Sequence, residues 1–159
     1  MRVGIGYDIH RFAERRRLVL GGVLIEGEQG LAGHSDADVV LHAVIDALLG
    51  AAGRADIGTH FPDSDEQYHN APSTELLERV LEMVRDDGYE PGNVDVTIIA
   101  EAPRLAPYVP EMRAHIANTM GVLQGHVSIK ATTNEGIGAI GRGEGIAAMA
   151  VALLRTLGE

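Results

Sequence analysis

Between Asp38 and Ala52 the chain runs through Val, Leu, Ile and Ala with only three ionisable side chains, Asp38, His42 and Asp46. They recur every four residues, so in a helix they form one stripe. The rest of the circumference is apolar. A helix of this kind is buried on most sides, and its polar stripe must face a site, a partner or a small wet patch. The 159 residues around it suit one compact domain, 1–159, able to bury roughly 70% of its unfolded surface without a staple.

The flanking segments supply the cover. Val3–Tyr7 reads as a strand running into Asp8-Ile9-His10, and Leu18–Leu20 and Val23–Ile25 flank Gly21-Gly22 as a hairpin. Arg15-Arg16-Arg17 reads as a solvated turn. Asp56–Asp65 is a loop broken by Gly58 and Pro62. Ser73 is the expected N-cap of a second helix whose apolar face is Leu76, Leu77, Val80, Leu81 and Val84, with Gly88 as its stop. Val94–Ala100 is a β-branched strand. Pro110 suits the first position of a third helix, with Val109, Met112, Ile116 and Met120 buried and Gly121 closing it. His126–Thr133 alternates as a strand with Val127, Ile129 and Ala131 inward. Ile146–Leu154 is a continuous apolar run whose Ala content favours helix and whose length permits either state. The expected class is α/β (α+β), with three helices and several strands.

Composition excludes several functions. Thirteen Lys and Arg against 23 Asp and Glu give a formal charge of −10, contrary to the basic face that nucleic acid or an anionic membrane requires. Cysteine is absent, so disulfides, thiolate zinc sites and cysteine catalysis are excluded. Aromatic residues are 4%, too few to suggest stacking on bases or sugars. No apolar signal segment or run of about 18 apolar residues is present, so the expectation is a cytoplasmic protein with no membrane and no nucleic-acid partner. The seven His are the remaining soft metal ligands.

Six constellations are candidates to carry chemistry. Asp8 and His10, two apart on a strand, point one carboxylate and one imidazole the same way, half of a divalent-metal site. His42 is either a satisfied core histidine or a third ligand, with Asp38 or Asp46 orienting its ring. Gly33-His34-Ser35-Asp36-Ala37-Asp38 offers Ser35 or Asp36 as a helix N-cap, or a helix terminus that receives phosphate. Lys130–Glu135 ends a strand with hydroxyls that suit phosphate oxygens, and Glu135 suits a hard cation; ordinary turn chemistry accounts for the same residues. Gly136-Ile137-Gly138-Ala139-Ile140-Gly141 matches a dinucleotide fingerprint in letters only, because the fourteen residues after Gly145 cannot hold the helix and strand that motif needs. Arg142-Gly143-Glu144 is either a solvated pair or a close backbone approach at an oligomer axis.

Taken in order, GYDIH at 6–10, GHSDADVVLHAVIDALLGAAG at 33–53, DIGTHFPDSD at 56–65, NVDVTIIAEAPR at 93–104 and KATTNEGIGAIGRGEGIA at 130–147 resemble the 2-C-methyl-D-erythritol 2,4-cyclodiphosphate synthase family over nearly the whole chain. The resemblance implies a homotrimer of ferredoxin-like subunits whose sheets face a central cavity, with active sites between subunits. It implies closure of 4-diphosphocytidyl-2-C-methyl-D-erythritol 2-phosphate to the cyclic diphosphate with loss of CMP, in non-mevalonate isoprenoid synthesis.

The resemblance also assigns residues. Asp8, His10 and His42 match zinc ligands, and Glu135 matches the ligand of a second cation, Mg²⁺ or Mn²⁺. His34 and Thr133 match transition-state positions, with Ser35 and Thr132 beside them on phosphate and Asn134 in the same segment. Asp56-Ile57-Gly58 matches the hold on the erythritol hydroxyls, adjoining the mobile loop Phe61-Pro62-Asp63-Ser64-Asp65. Ala100-Glu101-Ala102-Pro103-Arg104-Leu105-Ala106 matches the cytidine stretch of a neighbouring subunit. Ala139 matches a position near the central cavity, and Ala139 and Arg142 are both expected among the substrate-binding residues. Arg104 replaces a frequent Lys, and charge is kept without equivalence. Ala139 replaces Phe found in several members, which bears on a lipid in the cavity rather than on catalysis.

Overall fold

Gly4 and Gly6 set how closely the sheet approaches the buried helix. A Cβ on Gly4 would lie 2.0 Å from the Ala47 carbonyl oxygen, and one on Gly6 would lie 1.9 Å from that of Ala43. Strand and helix backbones therefore touch, with nothing larger than Ala between them. In the computed structural model, which describes residues 1–158, the strand is β1 (Arg2–Arg11) and the helix is α1 (Val39–Ala52). Every α1 residue except Asp46, Gly50 and Ala52 is buried.

The remaining elements are β2 (Leu18–Leu20), β3 (Val23–Ile25), α2 (Ile57–His60), α3 (Ser73–Asp86), β4 (Tyr89–Ile99), α4 (Val109–Met120), β5 (Val127–Thr132), α5 (Gly138–Gly141) and β6 (Gly145–Thr156). The sheet order is β1-β6-β4-β5, antiparallel except for the β4–β5 pair. α1 lies on β1 and β6, while α3 and α4 pack beside it over β4 and β5. The expected mixed sheet with three principal helices on it is thus present. The opposite sheet face leaves Val3, Ile5, Tyr7, Ile9, Met149 and Val151 exposed.

Several local expectations need correction. The 146–154 run, open between helix and strand in the sequence, is strand. It is central between β1 and β4, and its small Ala148, Ala150 and Ala152 are buried on the helix side. In β5, Val127 and Ile129 are buried but Ala131 is exposed, since this edge strand outruns the helices that cover it. Pro110 is the second residue of α4 and Val109 is only half-buried; Gly121 does close the helix in the left-handed region. Arg16 is not simply solvated. Its guanidinium donates to the carbonyls of Leu31 (3.1 Å) and Ser35 (2.6 Å) and to Asn70 Oδ1 (3.2 Å). The 136–141 glycines form a loop and one helical turn that return directly into β6, in keeping with rejection of a dinucleotide fold.

Neither Ser35 nor Asp36 caps α1. Asp38 does, accepting from the N–H of Val40 (3.1 Å) and Leu41 (3.0 Å). The same carboxylate accepts from Gly21 and Gly22 of the β2–β3 hairpin at 2.9 and 2.7 Å. The α1 N-terminus is therefore filled by its own carboxylate rather than open to phosphate. Asp38→Ala would strand four N–H groups, and we expect a loss of about 3 kcal/mol or more in urea unfolding. Burial and neighbouring Asp36 push the Asp38 carboxyl up from 3.8 to about 6, against the pull of the N–H donors. The folded chain then binds a proton that the unfolded chain has released, so this group lowers stability as pH rises from about 4 to about 6. Asp38→Asn should flatten that part of the stability profile.

Candidate metal centre

Residues alternate along β1, so Gly4, Gly6, Asp8 and His10 share the face turned to α1. The two glycines bring the backbones together, and at the far end of the contact Asp8 and His10 meet His42. Asp8 Oδ2 lies 2.9 Å from both His10 Nε2 and His42 Nδ1, and the two ring nitrogens are 3.4 Å apart. These three atoms are the one His, Asp or Glu group among the described residues placed to share a metal ion.

The triangle fits zinc. Ligands at 2.0–2.1 Å in tetrahedral geometry lie about 3.3 Å from one another. The outer ring atoms fit as well: His10 Nδ1–H donates to the Ala32 carbonyl at 2.6 Å, which leaves Nε2 with its lone pair free. Without an ion between them, burial opposes the charge on Asp8, but hydrogen bonds and charge from His10 and His42 prevail and hold its carboxyl far below the ordinary range; a bound ion would take the place of the ring protons in those contacts. Burial pulls His10 down; Asp8 outweighs this and raises it, helped by Asp63.

The ring of His42 is not oriented by Asp38 or Asp46. Asp38 is taken by backbone, and Asp46 accepts from Ile57 N–H at 2.8 Å. His42 Nε2 instead faces Ser35 Oγ (3.1 Å) and Ser73 Oγ (2.9 Å). Ser73 is not an N-cap but the first residue of α3, fully buried, with its hydroxyl on Asp36. Ser73 and Asp36 were not marked as site residues by sequence. A Ser at a helix start reads first as a cap, and nothing in its spacing places it on His42.

The triangle forms one wall of a cleft of about 220 Å³ that also includes Gly33, His34, Ser35, Ile57, Gly58, Phe61, Asp63, Tyr68 and Leu76. Tyr68 and Leu76 add an apolar wall not foreseen as part of the site. His34 Nε2–H donates to the Asp65 carbonyl at 3.2 Å, and Asp56 caps α2 through Thr59. Pro62 and Ser64 lie in the same loop, before the 3-10 turn that Asp65 caps.

The other expected residues lie elsewhere. Ala100, Glu101, Pro103, Arg104, Leu105, Ala106, Thr132 and Thr133 line a second cleft of about 280 Å³ at the β4–β5 edge. Ala102 lies within that stretch. Glu101 accepts from Asn134 N–H at 2.8 Å, tying the two segments together, and Glu135 is exposed just beyond. Ala139 lines a third cavity, of about 480 Å³, with His10 and Phe12, whereas Arg142 pairs with Glu144 at 2.7 Å on the surface. Register places Asp8 opposite Ala148, Ile98 and Ala131 in turn. Three strand spacings, about 14 Å, therefore separate the metal triangle from the β5 end.

An Asp/His/His triangle at a cleft wall, where strand β1 meets helix α1 over a mixed sheet, defines an α/β protein with a candidate metal site that opens on a cleft of small-molecule size. The model of the YgbB family matches residues 1–155, and the chain belongs to that family. It is 57% identical over 97% of its length to the 2-C-methyl-D-erythritol 2,4-cyclodiphosphate synthase of Symbiobacterium thermophilum, covering 98% of that protein. Among solved structures it is similar to the bifunctional IspDF of Campylobacter jejuni, at 42% identity and a TM-score of 0.94 over 98% of this chain and 42% of that one. It also resembles a Plasmodium falciparum protein solved as a CDP complex, at 33% identity and a TM-score of 0.84, covering 98% and 96% of the two chains. Among the described residues no helix is long and apolar enough to cross a membrane.

Proposed function

We propose that this chain converts 4-diphosphocytidyl-2-C-methyl-D-erythritol 2-phosphate to 2-C-methyl-D-erythritol 2,4-cyclodiphosphate and CMP, as a phosphorus–oxygen lyase of isoprenoid synthesis. The observation that carries this reading is the Asp8–His10–His42 triangle in the wall of a polar cleft. An oxygen of the 2-phosphate forms a bond to the β-phosphorus while the bond from that phosphorus to the CMP oxygen breaks. The substrate carries its own nucleophile, so the protein supplies positioning and charge neutralisation. Zinc, when bound, supplies Lewis-acid polarisation of the β-phosphate.

The chain's own residues do the rest. Asp8, His10 and His42 would hold the zinc, and Glu135 would hold a Mg²⁺ or Mn²⁺ ion that neutralises phosphate charge. His34 and Ser35 meet phosphate oxygens from one side, and Thr132 and Thr133 meet them from the other. Asp56–Gly58 orient the erythritol, and residues 100–106 hold the cytidine. The 14 Å between the two halves supports a site in which the first cleft of one subunit is completed by the second cleft of its neighbour, and the family resemblance makes that assembly a homotrimer. The apolar patch on β1 and β6 supports contact between sheets across a central cavity. We read residues 1–159 as one such domain and place it in the cytoplasm.

The test is zinc content measured together with product analysis on the cytidyl substrate. We expect about one zinc per subunit and CMP released with a cyclic diphosphate. Hydrolysis with water incorporated and no cyclic product would point to a different phosphoester enzyme on the same metal site. Glu135→Gln should raise the Mg²⁺ or Mn²⁺ concentration needed for turnover by about 10-fold or more while zinc stays bound. Equal loss of zinc would contradict the assignment of Glu135 to the second ion.

A further inference from the structure

We infer that Ser73, held by Asp36, is a positioning residue that fixes which nitrogen of His42 meets the metal; this rests on the reading that Asp8, His10 and His42 hold that ion. The argument is one of donors and acceptors. A carboxylate only accepts. Asp36 accepts from the backbone N–H of Ser73 (3.0 Å), the backbone N–H of Asp38 (3.1 Å) and the Ser73 hydroxyl. The single hydroxyl proton of Ser73 is thereby committed to Asp36. What Ser73 can offer His42 Nε2, 2.9 Å away, is a lone pair. A neutral His42 ring, the form that binds a metal, then carries its proton on Nε2 and aims the lone pair of Nδ1 at Asp8 and His10. Ser35 is less committed: its hydroxyl accepts from Ala37 N–H at 3.2 Å and is free to turn either way toward His42.

Position agrees with this assignment. Ser73 is fully buried and His42 is 8% exposed, so water does not replace the contact. α3 has no capping side chain of its own, and Asp36 takes the N–H of its first residue from across the interface. One carboxylate thus ties the start of α3 to the turn before α1 and sets the rotation of the His42 ring between them. His10 obtains the same result from a single backbone carbonyl. His42 lies on a helix whose own carbonyls are engaged, and its ring relies on a hydroxyl brought from another element.

The experiment is zinc affinity by chelator competition together with ¹⁵N spectra of the histidine rings in the zinc-loaded protein. In the wild type, His42 should bind zinc through Nδ1 and carry an Nε2 proton protected from exchange. Ser73→Ala should weaken zinc binding about 10- to 100-fold and speed exchange of that proton. Unchanged affinity and unchanged exchange would overturn the inference. So would a wild-type spectrum with zinc on Nε2, or with an unprotected Nε2 proton, and that measurement needs no variant should Ser73→Ala fail to fold. Because no step reads CMP release, failure of the proposed reaction would leave these outcomes intact.

Discussion

His42→Ala is expected to lower CMP release by about 10³-fold or more, with loss of bound zinc and retention of the fold. The size follows from what a metal contributes at a phosphoryl centre, several kcal/mol of charge stabilisation at 1.36 kcal/mol per decade of rate. His42 is one of the three proposed ligands, so its removal would leave Asp8 and His10 as an incomplete pair. The fold should survive because α1 is secured by other means. Its N-terminus is capped by Asp38, its flank lies on the Gly4 and Gly6 backbone, and its apolar residues are buried throughout. Metal analysis, circular dichroism and a CMP assay on the same sample read the three outcomes. An unfolded His42→Ala protein would indicate a structural metal, and full turnover without zinc would remove the metal from the reaction.

The second large effect is a recovery. At a Mg²⁺ or Mn²⁺ concentration too low to support the Glu135→Gln protein, His42→Ala and Glu135→Gln subunits, each nearly inactive alone, should regain activity when unfolded together and refolded as a mixture. In a ring whose sites lie between neighbours, a site is intact when its first half comes from one variant and its second half from the other. Random assembly at equal ratio makes this true for about a quarter of the sites, so about a quarter of wild-type activity is expected. Were all the site residues drawn from a single subunit, every site would carry one defect and the mixture would match its parents. The prediction rests on sheet topology. β1 and β5 are opposite edges of the same sheet, and the triangle and the Thr132–Glu135 segment follow those edges.

Much of the fold was legible in the sequence, and the exceptions have physical causes. The α1 pattern is unambiguous because a stripe at every fourth residue survives any packing. The 146–154 run is not, because a central strand beneath a close helix uses small Ala on its inner face, and alternation of Ala with Val, Met and Leu hardly registers as a period. Asp8 and His10 were readable as a pair, but their meeting with His42 depends on two glycines that mark no chemistry of their own. The stripe was right in place and wrong in partners: Asp38 and Asp46 both bind backbone N–H groups, while His42 turns to Ser35 and Ser73. Such partners come from loops and helix starts far along the chain, where pattern within one element carries no information.

The metal triangle joins β1 to α1 across the chain between residues 10 and 42. An ion bound there acts as a clasp on a long loop that contains the β2–β3 hairpin and the turn before α1. The unfolded chain has no such triangle, so occupancy favours the folded state by an amount that grows with the logarithm of free zinc, about 4 kcal/mol at a thousand times the dissociation constant. Catalytic readiness and thermal endurance are therefore set by the same quantity, the zinc available to the protein. Under zinc starvation the chain would lose activity and become more open to proteolysis together, so that idle subunits are also the ones most readily cleared.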